Sequence, residues 1–505
     1  MEKHPISTEE MRILELNAGY LGVTHSMLMQ NAGREVARVV EKTTKVDGKH
    51  VAIICGLGGN GGDGIVAARY IDEAGADVDV YLLGDERSIS NKDTLTNWEL
   101  LTHLHDILVS ELPTESAVKT CRAIKAADIL IDGIMGFGLH SKLREPLLTA
   151  VKMINKSTAT KYSIDIPSGV DSETGVIHGD AVKADHTIAL HAPKIGMTKA
   201  KEYIGKLHIV SIGIPEETKY TCGPGDIRPF KRTRSAYSKK GDFGRILVVG
   251  GSDVFSGAPA LTGMAALRTG ADLVSVLAPD PVVSAIRSYS PNLMVSSLGT
   301  QVLLPEVVDS VVESAKHNHV IAMGPGLGLE QQTKLAVTSI VQKILKLMKP
   351  MVLDADALKA IASSEIKLNP DLCVLTPHWG ELSVLLDEDP GDDTILQNRT
   401  DQAIACAKKY NSIVLLKGPV DVIVNPEGNF KLNRTGVPAM TVGGTGDVLT
   451  GIVATLLAHK QAAFRAASAA AFISGVAGEM AFDERGDHIV ATDCIENIHQ
   501  AFDIL

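Results

Sequence analysis

The chain has 505 residues, too many for one ordinary core and enough for two or three domains. A hydrophobic fraction of 45% and a charged fraction of 22% are those of a globular protein, and a net charge of −11 argues against a general nucleic-acid binder, which needs Lys and Arg to neutralise phosphate. The six cysteines form no CxxC pair, which excludes a zinc ribbon or redox dithiol, and no run of about 18 apolar residues offers a membrane span, so a cytoplasmic protein with free thiols is expected.

Residues 8–42 carry apolar side chains at helical spacing, among them Met11, Leu14, Met27, Leu28, Val36 and Val40. HVAIIC then reads as a strand ending in the glycine loop GLGGNGGDG, followed by the helix IVAARYIDEAG and the strand DVDVYLLG: a βαβ unit. ADILIDG, KYSIDIP, HTIALHAP and KLHIVSIGIP continue as strands. Residues 217–234 change character, being rich in Pro, Gly, Lys and Arg, and read as a linker. The basic cluster Lys231, Arg232, Arg234, Lys239 and Lys240 reads as solvated surface. The second half restarts with RILVVGG, and LVSVLAP, HVIAMGPG, PMVLDAD, LCVLTP, IVLLKG and FKLNR follow as strands before an Ala-rich stretch of packed helices. The alternation predicts an α/β protein with two mostly parallel sheets, one domain over 1–216 and another over 235–505.

GLGGNG satisfies the dinucleotide pattern GxGxxG, which alone is a weak signal. Asp63 counts against the ordinary reading, since a carboxylate at the helix start repels a pyrophosphate. Asn60 and Asp63 offer oxygens to a cation or a hydroxyl-bearing ligand, while Asp63 as a helix cap is an even alternative. Asp132 and Asp165 each end an apolar strand, where open α/β sheets place their ligand crevice. Ser168 is either a turn residue or an oxygen donor to a monovalent cation.

In the second half GGTGDVLTGI sets a glycine loop against an apolar helix, an arrangement suited to a phosphoryl group. Asp447 at that helix start is either a proton acceptor for an attacking hydroxyl or an N-cap, and the glycine neighbours favour the first. Lys417 ends a strand, where it can meet a phosphate or simply be solvated. Asp356 can cap a helix, and Glu381 reads as a first-turn helix acid or a group reaching metal-bound water.

Taken together, LMQNAG, GLGGNGGDGIVAARY, DGIMGFGL, SIDIPSGVDSETG and HAPKIG make residues 8–215 resemble the NAD(P)HX epimerase family, with a Rossmann-like domain. The resemblance implies substrate contacts at Gly59, Asn60, Gly61, Gly62 and Asp63, and at Gly136, Phe137, Gly138, Leu139 and His140. It implies a potassium ion at Asn60, Asp132 and Ser168, and Asp165 as substrate contact and proton-transfer group. Gly59 departs from the asparagine usual there.

The ordered set KGDFGRILVVGGSDVFSGAPALTGMAALRTGADLV, GPGLG, VLDADAL, LTPHWGE, LLKG and GGTGDVLTGI makes residues 235–460 resemble the ADP-dependent NAD(P)H-hydrate dehydratases, which are ribokinase-like. It implies substrate contacts at Ala258, Gly326, His378 and the catalytic Asp447. Nucleotide contacts are implied at Lys417, Gly418, Pro419, Val420, Asp421 and Gly446, with ADP and Mg2+. Two departures stand out: Trp379 in place of proline after the histidine, with the prospect of reshaping the pocket beside His378, and Lys239 in place of histidine. The resemblance thus implies a lyase joined to an isomerase that repairs hydrated NADH and NADPH; a homo-oligomer without nucleic-acid or membrane partners is expected.

Overall fold

The computed structural model describes residues 4–138 and 142–504, which form two compact units, Met1–Pro215 and Glu216–Leu505. In the first unit seven strands, β1 (His50–Cys55), β2 (Asp77–Leu82), β3 (Ile107–Glu111), β4 (Ile129–Gly133), β5 (Thr160–Ile164), β6 (His186–Leu190) and β7 (Lys206–Val210), form one sheet in the order β3-β2-β1-β4-β5-β6-β7. Every pairing is parallel. β1 is buried beyond its first residue, as a central strand covered on both faces must be, which is why it reads as an unbroken apolar run. The order reverses between β1 and β4, so a crevice opens at their carboxyl ends.

The helical stretch expected over 8–42 is helical, as two helices, Thr8–Tyr20 and His25–Thr43. Gly22 between them takes φ 96°, a left-handed conformation that helical continuation does not permit. Thr24 then caps the second helix, its hydroxyl accepting from Met27 N at 3.3 Å.

The second unit has nine strands: β8 (Arg245–Val249), β9 (Leu273–Ala278), β10 (Met294–Ser297), β11 (Val320–Met323), β12 (Met351–Leu353), β13 (Cys373–Leu375), β14 (Ile413–Leu416), β15 (Asp421–Val424) and β16 (Phe430–Asn433). Their order is β10-β9-β8-β11-β12-β13-β14-β15-β16, with seven parallel strands followed by an antiparallel hairpin. The parallel part repeats the order of the first unit. The helix Ala463–Arg485 is Ala-rich because it is buried around most of its circumference and leaves little room for larger residues.

Residues 217–234, expected as a linker, are in large part built into the second unit. Cys222, Ile227 and Phe230 lie in its core, Cys222 N donating to Leu432 O of β16 at 2.9 Å and the short helix Pro224–Ile227 packing on the helix Ala463–Arg485, and burying an Ile or Phe side chain contributes about 1.5–3 kcal/mol. The basic cluster is exposed at all five residues, as expected of solvated surface, although Arg234 also pairs with Asp272 at 2.6 Å and stacks with Arg232 on Phe243. All six cysteines are free and buried, and no helix among the described residues is long and apolar enough to cross a membrane.

Candidate active sites

In the first unit the glycine loop leaves β1 at Cys55 and enters the helix Gly59–Glu73. A Cβ on Gly56 would collide with Ile134 O and one on Gly61 with Gly56 O, so the loop folds only without those side chains. A side chain on Gly62 would strike Met29 and Thr94. Gly61 and Gly62 therefore serve packing, whereas Gly59, Asn60, Asp63, Gly136, Phe137 and Gly138 line a cavity of about 510 Å³. Leu139 and His140 lie outside the described residues. Asp63 does not cap: the N-cap is Gly58, and no side-chain cap hydrogen bond is present.

Asp165 stands at the carboxyl end of β5 with φ 63°, its carboxylate accepting from Lys194 Nζ and from Leu190 N at 3.2 Å. Lys194 is completely buried and also donates to the carbonyls of Leu190 and Ala192, each at 3.2 Å. Its ammonium lies 5.7 Å from the centre of the Phe137 ring, and the Arg12 guanidinium lies 5.6 Å from the same centre. Glu15, from the first helix, lines the cavity; burial raises its pKa to about 7, Lys194 opposing and Asp165 adding to the shift. Asp63 is pushed well above the carboxylate range by burial, then by Asp165 and Glu15, with Lys194 partly offsetting. Asp63, Glu15 and Asp165 thus crowd one buried ammonium, and Glu15 and Asp63 are held above the ordinary carboxylate range. Glu15 and Lys194 escaped the residue-by-residue reading. The signal for Lys194 is a lysine placed in the otherwise uncharged HAPKIG, but Glu15 looks like any exposed helix acid.

Asp132 ends β4 fully buried. Its Oδ1 accepts from Ser168 Oγ at 2.6 Å and Ile134 N at 3.2 Å, its Oδ2 from Ser163 Oγ at 2.8 Å and Ser168 N at 2.9 Å. Burial raises its pKa and these four bonds oppose the rise. Asn60 Nδ2 is buried without a partner, the kind of gap a ligand fills, and a Cβ on Gly136 would lie 3.2 Å from Asn60 Oδ1. Asn60, Asp132 and Ser168 offer oxygen donors with a single carboxylate, which fits a hard monovalent cation.

In the second unit Lys417, at the end of β14, donates to Asp354 Oδ1 at 2.9 Å and lies 3.9 Å from Glu381 Oε2. Asp354 Oδ2 accepts from Thr450 Oγ1 at 2.8 Å, on the helix Thr445–Leu457 that carries Asp447. Burial opposes the lysine's charge, but Asp354, Glu381 and Asp447 outweigh it and hold its pKa above the ordinary value. Asp447 is raised to about 7, first by burial and then by Asp354, with Lys417 opposing. It does not cap its helix; Gly444, with φ 97°, is the N-cap. A Cβ on Gly446 would lie 3.2 Å from Lys417 Nζ, so the ammonium faces this bare backbone.

His378 caps the helix Trp379–Leu386, its Nδ1 accepting from Gly380 N at 3.0 Å, while Glu381 accepts from His378 N at 3.0 Å. Glu381 is thus the first-turn acid. Asp356 is likewise inside its helix, its Oδ2 accepting from Gly328 N at 3.0 Å. His378, Lys417, Gly418, Pro419, Asp421 and Gly446 line a cavity of about 610 Å³. Ala258 and Gly326 adjoin each other, a Cβ on Gly326 falling 3.5 Å from Ala258 Cβ, but neither lines that cavity, and nor do Val420 and Asp447. Trp379 is not among the residues lining that cavity; it packs against the core and against Arg399, whose guanidinium is 5.6 Å from its ring centre. Among the described residues no group of three or more His, Cys, Asp or Glu is arranged to hold a metal, so a magnesium ion here would be carried chiefly by phosphates and water.

Two α/β units, each with a lysine–aspartate pair near a carboxyl group whose pKa burial raises to about 7, define an enzyme with two acid–base sites. Residues 25–196 match the family described as YjeF-related protein N-terminus, and residues 246–500 match NAD(P)H-hydrate dehydratase. A bifunctional NAD(P)H-hydrate repair enzyme of Pyrobaculum aerophilum is 40% identical over 98% of this chain and 97% of its own, and one of Hyperthermus butylicus is 39% identical over 98% and 92%. An ADP/ATP-dependent NAD(P)H-hydrate dehydratase of Bacillus subtilis, crystallised with ATP and Mg2+, is 26% identical with a TM-score of 0.48, over 56% of this chain and 98% of that one. The chain belongs to the family of bifunctional NAD(P)H-hydrate repair enzymes.

Proposed function

We propose that the second unit dehydrates the S epimer of hydrated NADH and NADPH at the expense of ADP, releasing AMP and phosphate, and that the first unit interconverts the R and S epimers. The observation that carries the reading is Asp447, a carboxyl poised near pH 7 at a glycine-capped helix start and in the field of Lys417. Asp447 takes the proton of the C6 hydroxyl, whose oxygen bonds to the β-phosphorus of ADP as the bridging P–O bond to AMP breaks. Bare amides of residues 443–446 and the Lys417 ammonium stabilise the transferring group. The ring-nitrogen lone pair then expels phosphate from C6, and loss of a proton from C5 restores the dihydronicotinamide. Magnesium, when bound with the nucleotide, neutralises phosphate charge. His378 and Gly326, with Ala258, contact the hydrate; residues 417–421 and Gly446 contact the nucleotide.

In the first unit Asp165 is the candidate proton-transfer group, joined by Glu15 and Asp63. Lys194 holds Asp165 in place, and a potassium ion at Asn60, Asp132 and Ser168 would anchor the hydrated nucleotide through its charge. The acidic net charge accords with a cytoplasmic protein acting on small molecules, and we extend the reading to a homo-oligomer.

The test incubates the protein with mixed epimers of NADH hydrate, ADP, Mg2+ and K+, following the return of reduced-nicotinamide absorbance. Full recovery that falls to the S epimer alone in Asp165→Ala supports both halves. Recovery that stalls at one epimer in the unaltered protein sinks the epimerase reading, and no recovery with ADP or ATP sinks the dehydratase.

A further inference from the structure

Arg399, on the helix Leu396–Tyr410, is 4% exposed, and among the described residues it forms no ion pair. A buried cation is costly unless its donors are satisfied, and burial lowers its pKa while Asp421 and Asp393 oppose. Its Nη2 donates to Lys417 O at 3.1 Å and Val420 O at 3.4 Å. Its Nε is buried without a partner. A Cβ on Gly418 would collide with the guanidinium, so the chain between those two carbonyls lies directly against it. Gly418 N in turn donates to Asp421 Oδ1 at 3.0 Å, and Asp421 Oδ2 accepts from Asn433 Nδ2 at 3.0 Å. The guanidinium carbon stands 5.6 Å from the ring centre of Trp379, the residue directly after His378.

Arg399 Nη2 bonds carbonyls at both ends of the loop while the flat guanidinium lies against Gly418 and beside Trp379, a shape that an ammonium does not offer. The loop it fixes contributes Lys417, Gly418, Pro419 and Asp421 to the cavity wall. An anion seated there would supply the counter-charge that Arg399 lacks. We propose that Arg399 is the positioning residue of the loop 417–421, that Trp379 keeps its guanidinium in place, and that together they set how tightly the loop takes a nucleoside diphosphate. The inference rests on the nucleotide reading of this loop. The same stack ties the loop to the start of the His378 helix, so filling one side bears on the other.

The test uses full-length protein with Mg2+, ADP and saturating NADH hydrate to measure KM for ADP and kcat, and follows tryptophan emission on addition of ADP and Mg2+ alone. Arg399→Met is expected to raise KM by on the order of 10–100-fold while kcat at saturating ADP falls far less, and to abolish the emission change that Trp379 reports. Loss of that change in Trp379→Phe identifies its source. Arg399→Lys, which keeps the charge without the fork, is expected to recover only part of the affinity; it also carries the test if Arg399→Met does not fold. Unchanged KM and emission in Arg399→Met would overturn the positioning role. Complete rescue by lysine would overturn the role of the fork. If the unaltered protein itself binds no ADP, the nucleotide reading falls, and the inference with it; that outcome is distinguished by its appearing before any substitution is made.

Discussion

The two units solve one electrostatic problem in opposite ways. Each has a lysine bonded to an aspartate that ends or follows a strand, Lys194 with Asp165 and Lys417 with Asp354. Lys194 is sealed, with two carbonyls and a carboxylate taking its protons, whereas the Lys417 side chain is 20% exposed and lines a cavity. The first can only hold a neighbour in place. The second retains reach, and an incoming phosphate can share it. A lysine–aspartate pair by itself therefore does not say whether the lysine meets the ligand; the partners left over for its remaining protons do.

Removing the acid of the exposed site tests this contrast most severely. Asp447→Asn should lower the dehydration rate by about 10²–10⁴-fold, the usual worth of a general base, and leave epimer exchange intact in a chiral separation of the hydrates. Next come the lysines. Lys194→Met strands a buried carboxylate and should cost the first unit about 3–5 kcal/mol in denaturant unfolding. Lys417→Met should cost less stability, about 1–3 kcal/mol, and show itself mainly as a raised KM for ADP. Equal stability losses would erase the distinction between the two pairs.

A pH series sharpens the comparison further. Asp447 must be ionised to act, so the dehydration rate should rise with pH through an inflection near 7. For stability the sign is opposite: carboxyls whose folded pKa is raised, Glu15 and Asp447, favour the fold below the ordinary carboxylate range, and that contribution is lost as pH rises through about 7. Glu15→Gln and Asp447→Asn should therefore flatten this decline, each unfolding later than the parent at pH 8 and not at pH 5. The smallest effect is expected at Gly59, where a Cβ meets nothing within 4 Å. Gly59→Asn should fit without strain and lower the epimerase KM by a few-fold, about what one added hydrogen bond contributes.

The central strands were legible because they are buried on both faces and so read as continuous apolar runs. Three strands were not. Ile107–Glu111 and Met294–Ser297 lie at sheet edges with mixed burial, and Asp421–Val424 is a four-residue arm of a hairpin adjoining a loop read for its chemistry. The glycine loops and the acids Asp132 and Asp165 were legible as features of the carboxyl ends of strands, where the structure has them. Glu15 was not, because its raised pKa comes first from burial, which only the fold imposes, and then from Asp165, far away in the chain. Arg399 was hidden for a similar reason: on a helix with Lys408 and Lys409 it looks like surface charge, and only the fold turns it inward.

The segment that joins the two halves has a practical consequence for anyone dividing the gene. A polypeptide begun at residue 235 would discard Cys222, Ile227 and Phe230 and open the apolar surface of β16 and the helix Ala463–Arg485 that they cover to water, inviting aggregation easily mistaken for a dependence of one half on the other. One begun at Glu216 keeps the plug that closes its own core, so whether the two activities can be separated should be judged from that cut.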